Sequence, residues 1–114
     1  MKLQFNELEN GIRLIKLIGT LDLSGAYSIE VEFVRQCAGD GVRVLVDLSE
    51  VDYISSIGVH MLITSANSIT GRGGKMALLS PQPSVLNVLD LIGIPQILPI
   101  YSDLESAKAG VLAE

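Results

Sequence analysis

The stretch from Val42 to Leu48 constrains this chain more than any other, because Val44, Leu45 and Val46 are apolar in direct succession. A strand with one wet face alternates apolar and polar side chains. A short, β-branched run without alternation is the mark of a strand covered on both faces at the centre of a sheet. What lies on either side decides which elements supply that cover.

Leu3, Phe5 and Glu7-Leu8 read as an edge strand, and Asn10-Gly11 is a turn signal of the hairpin kind. Ile12, Leu14, Leu17 and Ile18, with Arg13 and Lys16 between them, suit a second strand buried mainly on one face and ending at Gly19. Ser24 is placed to cap a helix carrying Ala26, Ile29, Phe33 and Cys37 on one stripe, with Val34 beside it, stopped by Gly39 and Gly41. After the Val42–Leu48 strand, Val59, Leu62, Ile63, Ala66 and Ile69 form another helical stripe, which Gly71, Gly73 and Gly74 terminate. Met76 to Leu79 is the next strand. Pro83 and Ser84 open a third helix with Val85, Val88, Leu89 and Ile92 inward, and Gly93 and Pro95 stop it. Ile97 to Ile100 reads as the last strand. Ser102 and Glu105 have the spacing of a capping box, ahead of Leu104, Ala107 and Val111 as packing residues. The order is β-β-α-β-α-β-α-β-α. Such alternation predicts an α/β fold: one domain over residues 1–114, with a mixed central sheet, helices in right-handed crossovers and an antiparallel hairpin at the start.

Composition agrees with a packed domain, since 48% hydrophobic against 18% charged residues supplies a core that disordered chains lack. The net charge of -5 is the wrong sign for a phosphate backbone or an anionic lipid surface, so neither nucleic acid nor membrane is an expected partner. A mean hydropathy of +0.45 calls for a test for a membrane span. The best window, Tyr53 to Gly71, carries Ser55, Ser56, His60, Thr64, Ser65, Asn67, Ser68 and Thr70, too many polar groups for hydrocarbon. Met1-Lys2-Leu3-Gln4 alternates at once, unlike a secretory signal, and the expected location is cytoplasmic. Cys37 is the only cysteine, so an internal disulfide and a cysteine-built zinc site are both excluded.

Catalytic chemistry finds little support. His60 is the only histidine and has no companion at metal-ligand or triad spacing, which suits a structural or surface role. Gly71-Arg72-Gly73-Gly74-Lys75 resembles a phosphate loop but follows a helix and precedes a strand, and Met76 stands where a hydroxyl would hold magnesium. Asp22, Asp47 and Asp52 are carboxylates, and aspartate is common where strands end in turns. An enzyme, a metal site and a cofactor are therefore not expected.

The remaining signal is the connection Asp47-Leu48-Ser49-Glu50-Val51-Asp52-Tyr53-Ile54-Ser55-Ser56-Ile57-Gly58, which leads from the central strand to a helix. Two adjacent serines fall at that helix start, where serine acts as a cap. A phosphate is also well received there, by free amides and the helix dipole, and the two roles are compatible at one residue. Gly58 allows another backbone to approach closely or serves helix–sheet packing.

With these residues in view, Val51 to Leu62 resembles the signature of STAS domains of the bacterial anti-sigma-factor antagonist (anti-anti-sigma factor) type, whose strand-to-helix turn reads roughly Asp-Ser-Ser/Thr-Gly. The likeness extends through Gly19-Thr20-Leu21-Asp22, Leu45-Val46-Asp47-Leu48-Ser49, Gly73-Gly74 and Leu91-Ile92-Gly93-Ile94. The resemblance implies a STAS-like fold and a regulator without enzymatic activity. It implies phosphorylation of Ser56 by a partner that is both an anti-sigma factor and a serine kinase of the histidine-kinase-like ATPase type, with a serine phosphatase as a possible second partner. Asp22, Ser55, Ser56, Ile57 and Gly58 are then the partner-binding residues, although Asp22 equally suits a turn or cap before the first helix. Ser55 stands in place of the family aspartate, and Ile57 in place of a small Ser or Thr. The competing expectations are a non-switching STAS scaffold subunit of a signalling or transport complex and a small-ligand-binding module.

Overall fold

In the computed structural model, which describes residues 1–113, the chain runs β1 (Lys2–Glu7), β2 (Ile12–Leu21), α1 (Leu23–Gln36), β3 (Arg43–Ile54), α2 (Ser56–Gly71), β4 (Lys75–Leu79), α3 (Pro83–Ile92), β5 (Ile100–Tyr101) and α4 (Leu104–Leu112). Short 3₁₀ turns lie at Glu9–Gly11 and Ile94–Gln96. The five strands form one sheet in the order β1-β2-β3-β4-β5, so β3 is central as its apolar run requires. β1 is antiparallel to β2, and every later pair is parallel. Asn10 and Gly11, between the antiparallel strands, both adopt positive φ (62° and 73°), a conformation that Asn tolerates and Gly takes freely.

Because parallel neighbours follow one another in sequence, right-handed crossovers carry α1, α2 and α3 to the same face of the sheet. Ala26, Ile29 and Phe33 of α1, Val59, Leu62 and Ile69 of α2, and Val85 and Leu89 of α3 pack there against Val44 and Val46. The opposite face is covered by α4, whose Ala107 and Val111 close over Ile12, Leu45, Ala77 and Leu79. The succession Val44-Leu45-Val46 is thus explained by two covers of different origin.

Several local expectations are corrected. β2 continues past Gly19 to Leu21, and β3 continues past Leu48 to Ile54. Between Lys16 and Thr20 of β2, the paired stretch of β3 contains two extra residues, one where Ile18 meets Glu50 and one where Thr20 meets Tyr53. Each such bulge reverses the inside–outside alternation, so the buried residues fall at Leu48, Val51 and Ile54, three apart. That spacing hid the second half of the strand. Asp22, not Ser24, caps α1, and Asp103 caps α4 by accepting from Ser106 N at 2.9 Å, so the Ser102/Glu105 box does not form. Ile97 to Ile100 is not the last strand, because the 3₁₀ turn at Ile94–Gln96 delays β5 to Ile100–Tyr101. Ile92 and Leu104, expected inward, are solvent-exposed.

Gly71 to Lys75 is a plain helix-to-strand turn. Its Arg72 guanidinium donates to the carbonyls of Gly39 (2.9 Å) and Cys37 (2.8 Å), tying the end of α1 to the end of α2. Cys37 is a buried core residue, and burial pushes its thiol up to about 11 against the opposing pull of Arg13 and Arg72. Among the described residues no helix is long and apolar enough to cross a membrane.

Candidate functional site

β2 and β3 end side by side, with Leu21 opposite Ile54, and each passes directly into a helix. Two helix N-termini therefore open at the same edge of the molecule. At the first, Asp22 Oδ1 accepts from Gly25 N at 2.8 Å. At the second, Ser55 is the cap: its Oγ accepts from Gly58 N at 3.3 Å and donates to the Leu21 carbonyl at 3.1 Å. Ser55 N donates to the same carbonyl at 3.0 Å. The start of α2 is thus tied to the end of β2 by both the backbone and the side chain of one residue.

Of the five expected site residues, the structure brings Ser55, Ser56, Ile57 and Gly58 onto the first turn of α2 and sets Asp22 at the head of the neighbouring helix. Ser56 is exposed and is not the cap: the capping role expected of it falls to Ser55, the last extended residue before the helix. Ile57 is 45% exposed, whereas Gly58 is buried against β2. Asp22 is the cap expected of it, at the head of the helix beside the Ser55–Gly58 turn. Asp47 accepts from Ser49 N, and Asp52 accepts from Thr20 Oγ1, each at 2.9 Å. Both carboxylates are engaged in hydrogen bonds along β3.

Apolar side chains surround this turn; all but Val34, expected beside the buried stripe of α1 and found exposed, were missed by the sequence reading. Leu23, Tyr27 and Tyr53 are all more than half exposed, and Val31 and Val34 continue the row along α1. The signal was available: Leu23, Tyr27, Val31 and Val34 recur at helical spacing on a stripe separate from the buried Ala26, Ile29 and Phe33. Between α1 and α2 runs a groove of about 270 Å³, with Glu30 and Val34 on one side and Ile57, His60 and Thr64 on the other. A smaller hollow of about 150 Å³ adjoins it, lined by Leu23, Tyr27 and Ile57. Residues 17–34 and 44–71, which build this region, contain no Lys or Arg. An apolar surface with an acidic rim suits a protein partner better than a polyanion.

A family model described as the STAS domain matches residues 6–107. Over 109 residues the chain is 29% identical to BtrV of Bordetella bronchiseptica, named as a candidate anti-sigma factor antagonist; the match covers 96% of this chain and 93% of that protein. It is 24% identical over 102 residues to the anti-sigma-F factor antagonist RsfB of Mycobacterium tuberculosis, covering 90% of this chain and 83% of RsfB. Among solved structures, the anti-sigma factor antagonist SpoIIAA in its unphosphorylated form superposes with a TM-score of 0.76 at 17% identity, with 99% of each chain covered. The phosphorylated form of SpoIIAA, a Bacillus cell fate determinant, gives 0.68 at 18% identity, covering 96% of this chain and 99% of that one. At these identities the superpositions establish a shared fold.

Proposed function

The chain belongs to the STAS domain family, and from that premise we propose that it is an anti-sigma-factor antagonist working by partner switching. Unphosphorylated, it binds an anti-sigma factor that is also a serine kinase of the histidine-kinase-like ATPase type, and the kinase then releases its other client. Phosphorylation of Ser56 dissociates the pair, and a serine phosphatase resets the cycle.

The observation that carries this reading is the division of labour between the two serines. Ser55 makes the structural bonds of the turn, while Ser56 is exposed on the first helical turn beside Ile57. Its hydroxyl is open to a kinase without disturbing the cap. The kinase moves the γ-phosphoryl group of ATP to Ser56 Oγ, with loss of the hydroxyl proton and release of ADP. The product gains about -1.5 to -2 charges amid Ile57, Leu23 and Tyr27, a surface that loses affinity for a dry contact once a charged phosphate would have to be desolvated there. The fold tolerates the group, because an anion at a helix N-terminus is favoured by the dipole. Relatives named as anti-sigma factor antagonists, and a homologous fold solved in both phosphorylation states, support the same reading. In this scheme the catalytic groups belong to the kinase, and the chain is its ligand and substrate.

The test is incubation with the cognate kinase and ATP, followed by mass spectrometry of the modified peptide and gel filtration of the mixture. Phosphate on Ser56 together with loss of the complex is the expected result. A Ser56→Ala variant that ATP still releases would overturn the assignment, and a wild-type chain that stays bound and unmodified would make it a non-switching STAS subunit. That second reading draws on Ser55, which stands where the family signature has aspartate.

A further inference from the structure

His60 is the one side chain in residues 17–34 and 44–71 that can take up a positive charge; around it those segments carry Asp22, Glu30, Glu32, Asp47, Glu50 and Asp52. It lies on α2 four residues after Ser56, and side chains four apart on a helix are neighbours, with Cβ atoms about 5–6 Å apart. Both residues are exposed. In the unmodified chain the ring is turned the other way, with Nε2 3.4 Å from Thr64 Oγ1. That separation is at the outer edge of hydrogen bonding, so the ring has a weak hold there. Facing it across the groove from α1 is the carboxylate residue Glu30, while Ile57 and Thr64 line the groove on the α2 side with His60.

We propose that His60 is the intramolecular partner of phosphorylated Ser56: the ring leaves Thr64, swings one turn toward the helix start and, as an imidazolium, donates to the phosphate. This rests on the reading of Ser56 as the acceptor. Three strong acceptor oxygens one helical turn away outcompete a single hydroxyl at 3.4 Å. The pairing draws the phosphate back along α2 and removes the ring from its place opposite Glu30, so one modification changes both the charge and the shape of the groove.

The test needs no kinase, because phosphoserine can be installed at position 56 during synthesis of the full chain. The ³¹P resonance is then followed from about pH 5 to 8, a range that brackets the second ionisation of a phosphoserine. With His60 present, the second ionisation of the phosphate should come roughly 0.3 of a pH unit or more below that of the His60→Gln variant, a twofold or larger change in its ionisation constant. Thr64→Val, which removes the competing hydroxyl, should preserve or widen the difference. Equal midpoints with and without His60, in variants whose circular dichroism is unchanged, would overturn the proposal. So would loss of the difference in Thr64→Val. A kinase that modifies another residue would overturn the switching assignment instead, and is read in a separate experiment.

Discussion

Gly58 lies hard against Leu21: a Cβ built on Gly58 would stand 2.7 Å from Leu21 Cγ and 2.8 Å from the Leu21 carbonyl oxygen. That oxygen already accepts from Ser55 N and Ser55 Oγ. Gly58 is therefore the residue that lets the first turn of α2 close onto the end of β2. Gly25 plays the same part at the head of α1, where a Cβ would fall 2.0 Å from the Thr20 carbonyl oxygen.

Gly58→Ala should destabilise the domain by about 1–3 kcal/mol, the usual cost of forcing a methyl group into a filled contact, because backbone has to move to admit it. Urea denaturation followed by circular dichroism measures the loss. A neutral result would mean that α2 shifts outward freely.

Ser55 and Ser56 should separate cleanly in stability. Ser55→Ala removes the cap on Gly58 N and a donor to Leu21, at about 1 kcal/mol or somewhat more. Ser56→Ala should stay within about 0.5 kcal/mol of the wild type, as expected for an exposed position that makes no cap. Equal costs for the two in the same denaturation series would contradict the assignment of the cap to Ser55.

Charge on the proposed docking turn should act on binding and leave folding nearly untouched. Ser56→Asp and Ser56→Glu are expected to weaken the kinase complex tenfold or more, equivalent to about 1.4 kcal/mol, in calorimetric titration. Ile57→Lys adds the opposite charge one residue away. If it weakens binding as well, the contact is dry; if only the acidic variants do, the partner repels anions specifically. Wild-type affinity in all three would put the partner surface elsewhere.

Acid sensitivity should come partly from carboxylates outside this turn. The Ser106 backbone N–H holds the Asp103 carboxyl below the usual carboxylate range, and a hydrogen bond from Lys108 does the same for Glu9. A depressed folded value means stability that is present above the unfolded carboxylate range and lost as pH falls through the folded one. The urea midpoint should therefore be level above about pH 5 and decline below about pH 4. Asp103→Asn, which keeps a capping oxygen without its titration, and Glu9→Gln should each flatten the acid limb, and added salt should flatten it further. An unchanged acid limb in both variants would assign the decline to other carboxylates.

The order of elements and the central place of β3 were legible because each rests on a periodic pattern of apolar residues. Val44-Leu45-Val46 announced its two covers, and the Ala26, Ile29, Phe33 stripe announced α1. The second half of β3 was not legible, because two bulges put Leu48, Val51 and Ile54 at steps of three, a spacing that breaks the period-two alternation of a strand. The exposed row on α1 was overlooked beside a stronger buried one. The turn Ser55 to Gly58 stood out from its composition, whereas the role of each serine depended on where β3 stopped.

By itself the sequence determined the α/β order, the two-sided cover of β3 and the neighbourhood of Ser55 and Ser56, since local periodicity and turn chemistry act within a few residues. Tertiary structure alone decided which residue is the cap. A cap is the last residue in extended conformation before a helix, and pairing with β2 holds β3 extended through Ile54 and ties Ser55 to the Leu21 carbonyl 34 residues away. That long-range bond occupies Ser55 and leaves Ser56 free on the surface.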